Sequence, residues 1–482
     1  MSRSSAPACA GPPALTVREI AELTGGVVAR GGGDVAVRGA TADSRAVAAG
    51  MLFVALRGRR ADGHHFAPQA CRLGAAAVLG TEDVPDVPPG AAVVVVPDAL
   101  RALHRVARAV RDRLTGLTVV GITGSVGKTS TKELLAALAG RRFRTLRSPR
   151  NWNTEIGIPL VLANAPAGAE VAVLELAMRG PGQIRELTDV ARPRIGVVTN
   201  VGESHLDFFP SREALAEEKA ALVDALPPDG VAVLNADDPL VMAMRRRSSA
   251  RVVTFGWGAA DVAATAWRAI PGEGSAFRLH TPAGDADVAL RLPGRHAVGN
   301  ALAAAAAGIA LGVPVPDIAA GLEGAAMLPM RLAVRRIGEI TVVDDTYNSS
   351  PQSLAAALDV TEELPGAPRI AVLGDMRELG PISDDAHRRA GCWVAGRRFD
   401  LLIMFGPLAA GMAAAAREAG AGRVVHTVDP DEVVRELRRA LQPGALILVK
   451  GSRALEMERI VARLADEHAE DPAARGGRIA WA

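Results

Sequence analysis

Residues Gly121 to Ser130 read GITGSVGKTS. The stretch follows the apolar run LTVVGI (117–122) and precedes KTSTKELLAALAG (128–140), so a buried strand, a glycine-rich turn and a helix are expected in that order. Gly124 and Gly127 let backbone N–H groups approach phosphate oxygens with no Cβ in the way. The helix starting near Lys128 adds its positive N-terminal end. Lys128 is expected to neutralise β- and γ-phosphates, and the Thr129 hydroxyl to ligate Mg²⁺. Ser125, Val126 and Ser130 complete the candidate nucleotide-binding loop. The commonest phosphate loop needs glycine at position 122, where this chain has Ile122; its early glycine is Gly121. No Asn-Lys-x-Asp guanine motif follows, which argues against a GTPase.

Working outward, 482 residues suggest about three domains. The hydrophobic share is 49% but the aromatic share only 3%, so Ala, Val and Leu must fill the cores. Net charge is +2, which gives no electrostatic case for nucleic acid or an acidic membrane as main partner. The three cysteines are far apart and lack a Cys-x-x-Cys, which argues against a disulfide framework or zinc site and suits a reducing cytoplasm. No signal peptide or membrane span is expected. A cytoplasmic monomer is the expectation.

Residues 1–14 are expected to be disordered. A first α/β unit then covers 15–114. It opens with the helix LTVREIAEL, capped by Thr16 with Glu19 closing a capping box. Its strands are MLFVAL, AAAVLG and AAVVVV, and it ends with the helix DALRALHRVARAVRDRL. The second unit, 115–328, adds the apolar strands VAVLEL, IGVVTN and VAVLNA. Helices between them imply a mostly parallel sheet covered on both faces. Residues 251–293 read as an antiparallel hairpin insert, and HAVGNALAAAAAGIALG as a packed helix. A third α/β unit, 329–482, has strands ITVVDD, RIAVLGD, LLIMFG and ALILVKGS. Glu175 ends VAVLEL, at the carboxyl edge where such sheets place ligands.

Other motifs follow in order: NWNTEIGIP (151–159), LELAMRGPGQI (174–184), TNVGESHLDFF (199–209), EEKAAL (217–222), GRHAVGNALAA (294–304), a segment ending at Arg331, VVDDTYNSSPQS (342–353), VLGDMRELG (372–380) and VKGSR (449–453). With the variant loop TGSVGKTS, this series resembles the Mur ligase family over roughly residues 15–465.

The resemblance implies three domains: an N-terminal UDP-precursor domain, a central ATP-binding domain and a Rossmann-like C-terminal domain. It implies an ATP-dependent amide ligase working through an acyl phosphate, with two Mg²⁺ ions. Glu175 is expected on the Mg²⁺ shared with the phosphates. His205 and a carbamylated Lys219 are expected on the second, with Glu203 and Asp207 flanking. His296 and Asn300 are implied on the adenine side, and Arg331 and Asp345 near the γ-phosphate and ribose. Ser44 and Arg45, in TADSRAVAAG, resemble uridine-binding residues, and ADGHHF (61–66) belongs to the same pattern. Asn153 and Thr154 are implied to contact the muramoyl peptide, although several relatives carry a second Asn where Thr154 stands. The last three motifs resemble most the member that joins D-alanyl-D-alanine to UDP-N-acetylmuramoyl-tripeptide. A member adding the third amino acid would need an Asp-Asn-Pro-Arg motif, which is absent. A folylpolyglutamate synthetase fits less well, and a non-catalytic nucleotide-binding protein would be expected to have lost Lys128, Glu175, His205 or Lys219.

Overall fold

The computed structural model describes residues 11–58, 60–149, 151–326 and 328–469. Most of the segment expected to be disordered, and the last thirteen residues of the third unit, lie outside them. Mixed α/β structure organises around three larger sheets, of five, nine and six strands.

In the first, Val27–Arg30 is an antiparallel edge, and Ala92–Val95, Ala77–Gly80, Leu52–Val54 and Ala40–Thr41 follow in parallel. The entry helix Val17–Thr24 carries the expected capping box: Thr16 accepts from the Glu19 amide and Glu19 accepts from the Thr16 amide. Helix Ala99–Arg113 closes this unit, burying Leu103, Val106 and Val110.

The second sheet is built around Thr118–Thr123, flanked by Val171–Glu175 and Ile195–Val198, all parallel. Residues 251–293 depart from the expected insert. Arg251–Gly256 continues the parallel sheet beside Val231–Asn235, and Val262–Ile270 starts parallel to it before an antiparallel meander through Gly274–Thr281 and Gly284–Leu290. The crossover helix Pro239–Ala243 is only five residues long, too short for hydrophobic periodicity to reveal a βαβ unit.

The run of alanines in helix Arg295–Ala310 has a packing reason. Ala301 and Ala303 to Ala307 are fully buried, and a Cβ on Gly308 would come within 2.8 Å of Leu138. On the neighbouring helix Val315–Glu323, a Cβ on Gly321 would lie 2.4 Å from the Leu138 Cα. Small residues therefore let both helices press against helix Lys128–Ala139, which starts at the phosphate loop.

The third sheet holds the four expected strands in a parallel core and gains two edges, Ala333–Ile337 (antiparallel) and Arg423–Thr427. Those edge strands read AVRRI and RVVHT; charge and partial exposure hide them from an apolar-run criterion. Among the described residues no helix is long and apolar enough to cross a membrane.

Candidate active site

Strand Thr118–Thr123 runs directly into the loop, and Ile122 is its penultimate residue, fully buried and in register with Glu175. Gly121 is therefore inside the sheet and not part of the phosphate cradle. Its neighbour across the strand pair is Gly196, and a Cβ on either would meet Leu222 at 3.1 Å. These two glycines let helix Arg212–Asp224, which carries Lys219, lie close on the sheet.

The turn itself depends on two glycines. Gly124 has φ 147°, and a Cβ there would fall 1.9 Å from Thr199 Oγ1. Gly127 has φ 86°, and a Cβ there would fall 2.2 Å from Asn300 Oδ1. Asn200, which the sequence reading passed over, frames the loop. Its carbonyl accepts from the Ser125 amide at 3.0 Å, and its side chain both accepts from the Val126 amide and donates to the Val126 carbonyl, each at 3.0 Å. The amides of Ser125 and Val126 are thus spent on the frame. The first amides of helix Lys128–Ala139, those of Lys128, Thr129 and Ser130, are the donors a helix start leaves without an intrahelical acceptor.

One cleft of about 850 Å³ runs from this loop to the third sheet. Ser125, Val126, Gly127, Lys128, Thr129, Ser130, Asn153, Thr154, Glu175, His205, His296, Asn300, Arg331 and Asp345 all line it. Gly124 lies just behind, and Lys219 is buried outside the lining. Ser44 and Arg45 are not brought to the cleft; they form a short turn in the first unit, where Arg45 pairs with Asp43 at 2.8 Å and is 85% exposed.

At the cleft floor Glu175 accepts from the Thr129 hydroxyl at 2.8 Å and from the Asn153 amide at 2.9 Å. Its own backbone N–H donates to Ser148 Oγ, whose carbonyl accepts from the buried Lys132 at 2.7 Å. Thr129 and Glu175 present the oxygen donors that a hard divalent cation prefers. Lys128 donates to the Gly124 and Ser125 carbonyls at 2.7 and 3.1 Å. Its half-buried position lowers its pKa, Arg331 adds to that, and Glu175 and Glu378 oppose it.

His205 adopts a left-handed φ of 69°. Its Nδ1 lies 2.7 Å from the Glu378 carboxylate, but the atoms are poorly aligned for a hydrogen bond, so the contact is electrostatic. Burial is the main cause of a lowered His205 pKa, and Glu378 acts against it. Glu203 and Asp207 do not turn to the same point as His205. Glu203 pairs with Arg389 at 3.1 Å, and Asp207 accepts from the Gly380 amide, so both dock the third unit on the second. Lys219 is 1% exposed, its amine makes no hydrogen bond among the described residues, and burial together with nearby Lys128 holds its pKa well below the ordinary lysine range. A neutral amine is what carbamylation needs, so His205 and Lys219 fit the second metal set in chemistry.

Arg331 reaches back from the third unit. Its guanidinium donates to the Thr129 hydroxyl at 3.0 Å and stacks on Tyr347 at 4.0 Å. Left-handed Met330 and Leu332 flank it. The Leu332 amide is fixed by Asp345 at 3.1 Å, and Asp345 pairs with buried Lys450 at 2.5 Å. Asp345 therefore anchors the segment that aims Arg331, beyond the ribose contact expected of it. On the opposite side His296 is an exposed residue of the cleft wall, and partial desolvation by the surrounding protein lowers its pKa. Arg295 stacks on Trp257 at 4.1 Å beside it, an aromatic platform no motif had flagged.

Comparison with known proteins follows the same outline. The Mur ligase family catalytic domain matches residues 36–111, the Mur ligase middle domain 122–308, and the Mur ligase glutamate ligase domain 330–453. The UDP-N-acetylmuramoyl-tripeptide–D-alanyl-D-alanine ligase of Bacillus subtilis is 35% identical over 450 residues, 92% of this chain and 97% of that protein. A crystal structure of MurF from Acinetobacter baumannii superposes with a TM-score of 0.87 at 31% identity, covering 94% of this chain and 99% of its own. MurF ligase from Thermotoga maritima, in complex with ADP, gives 0.78 at 29% identity over 90% and 98% of the two chains. With three models in chain order and likeness along nearly its whole length, this protein belongs to the Mur ligase family.

Proposed function

We infer that the protein is an ATP-dependent ligase that joins D-alanyl-D-alanine to UDP-N-acetylmuramoyl-tripeptide, a step in making the peptidoglycan precursor. The observation that carries this is the shared cleft: phosphate loop, Glu175 and the third unit's polar wall face one space, as a ligase of three substrates needs. Relatives of that name align end to end, and the Thermotoga structure binds ADP in the same fold.

The tripeptide's terminal carboxylate attacks the γ-phosphorus of ATP, the bond to the β-bridging oxygen breaks, and ADP leaves. The neutral amine of D-alanyl-D-alanine then attacks the acyl carbon, phosphate departs with its bonding pair, and a proton is released. Two anions must meet in the first step, so positive charge must be held ready. Lys128, the amides at the helix start and Arg331 supply it from the protein. Thr129 and Glu175 would hold one Mg²⁺, and His205 with a carbamylated Lys219 a second; bound there, the ions neutralise phosphate charge. Asn153 fixes the free oxygen of Glu175. Asn300, His296 and the Trp257 platform form the adenine side, and Thr154 lies where the peptide end approaches. Ser44 and Arg45 sit on the first unit, toward the uridine end. We place the unit borders near 114 and 328, so that each substrate meets its own unit.

Phosphate release from ATP and UDP-N-acetylmuramoyl-tripeptide, measured with and without D-alanyl-D-alanine, tests the reading. Stimulation by the dipeptide is expected. Stimulation instead by diaminopimelate with the shorter precursor would overturn it.

A further inference from the structure

D-alanyl-D-alanine is a zwitterion, and the ammonium end must reach the acyl carbon. Its binding wall needs a carboxylate without a fixed cation and, near it, a cation without a fixed carboxylate. The third unit puts two carboxylates on the cleft, Asp345 and Glu378. Asp345 is neutralised by Lys450 at 2.5 Å, both buried. Glu378 has no guanidinium or ammonium within ion-pair distance among the described residues; its one close partner is the misaligned His205 imidazole. Lys128 and Arg179 act on it only through the field across the cleft.

The backbone holds Glu378 in an unfavourable shape. Its φ is 63°, a left-handed conformation that non-glycine residues rarely adopt without support. Support comes from both sides: the Met376 amide donates to His387 Nε2 at 3.0 Å, the Arg377 amide to Ser452 Oγ at 2.8 Å, and the Gly380 amide to Asp207. Such over-determination of a strained residue in a cleft wall points to a ligand. Arg377, its neighbour in the chain, also lines the cleft; its one ion pair among the described residues is a distant 3.9 Å to Asp375.

We propose that Glu378 is a substrate-binding residue that takes the ammonium group of the incoming dipeptide, while Arg377 takes its carboxylate. The proposal rests on the ligase reading above and assigns its amine site. His205 then serves as the resting partner of Glu378 until the dipeptide arrives.

The test uses the full chain with saturating ATP and UDP-N-acetylmuramoyl-tripeptide. Glu378→Gln is expected to raise the dipeptide KM about tenfold or more, the loss of a charge-assisted hydrogen bond, and to leave the Mg²⁺ concentration for half-maximal rate unchanged. N-acetyl-D-alanyl-D-alanine, which lacks the positive charge, is expected to inhibit wild type and Glu378→Gln equally. Arg377→Met is expected to weaken both the dipeptide and its acetylated form. Retained ADP binding confirms that each variant is folded. An unchanged dipeptide KM in Glu378→Gln overturns the proposal. So does a shifted Mg²⁺ requirement, which makes Glu378 part of the metal site. A wild-type enzyme that ignores the dipeptide altogether sinks the ligase reading first.

Discussion

Gly121 and Gly196 lie opposite each other in adjacent strands of the central sheet, and Leu222 packs over the pair. Gly121 looked like the displaced first glycine of a phosphate loop. It instead brings the Lys219 helix close to the sheet that carries Glu175. A loop irregularity in the sequence is thus a packing requirement for the helix that carries Lys219.

A side chain at 121 tests this. The missing Cβ would come within 3.0 Å of Leu176 and 3.1 Å of Leu222. Gly121→Ala is expected to cost about 1–3 kcal/mol through overpacking, and Gly121→Val more. Calorimetry should show the central transition lowered by about 2–4 °C per kcal/mol. A Gly121→Val protein that melts like wild type would remove the packing role.

Lys219 makes a prediction with a defined sign. Unfolded, its amine titrates near 10.4; folded, burial and Lys128 hold it well below that. Between the two values the unfolded chain binds more protons, so stability rises with pH through that window. Below the folded value both states are protonated and the whole desolvation cost stands. In CO₂-depleted buffer, Lys219→Met should therefore melt higher than wild type at neutral pH, and the gap should narrow as pH approaches 10. The same variant should lose phosphate release, and intact mass of wild type in bicarbonate should show the added carbamate. Full activity in Lys219→Met would discard the metal-ligand role; a gap independent of pH would discard the depressed amine.

The buried pair Asp345–Lys450 calls for a double-mutant cycle. Lys450→Met alone leaves Asp345 uncompensated and is expected to cost about 3–5 kcal/mol. Asp345→Asn with Lys450→Met should cost far less, because no buried charge remains. The single variant should also need more ATP, since Asp345 fixes Leu332 next to Arg331. If the two single losses simply add, the pair is not coupled.

The sequence reached the strand-end carboxylate Glu175 and the loop residues Lys128 and Thr129, because strand, turn and helix are local features. It also reached the alanine helix, whose small residues admit only a packed neighbour. It could not reach Glu378, 173 residues after His205 in the chain but 2.7 Å away in space, because docking of separate units leaves no local pattern. Nor could it divide labour among loop amides: Asn200 claims those of Ser125 and Val126, and only geometry reveals which donors stay available.

Asn200 closes the set of tests. Its side chain makes two bonds to Val126, and its carbonyl, which any residue keeps, bonds Ser125. Asn200→Ala therefore leaves the Val126 amide without a partner, a local cost of about 1–3 kcal/mol, while Thr199 still donates to the Val126 carbonyl and Ser125 keeps its bonds to the carbonyl of residue 200 and to Gly202. The loop should loosen, and the ATP KM should rise about tenfold. Asn200→Asp keeps the acceptor for the Val126 amide but removes the donor to its carbonyl and adds a negative charge beside the loop. It should weaken ATP more than Asn200→Ala and lose part of that excess at high salt, where screening is stronger. Thermal melting should fall in proportion to that cost, by about 2–4 °C per kcal/mol, and stay cooperative, because the strands and helices beside the loop stay intact. Wild-type ATP KM in both would show that the amide frame does not control the loop.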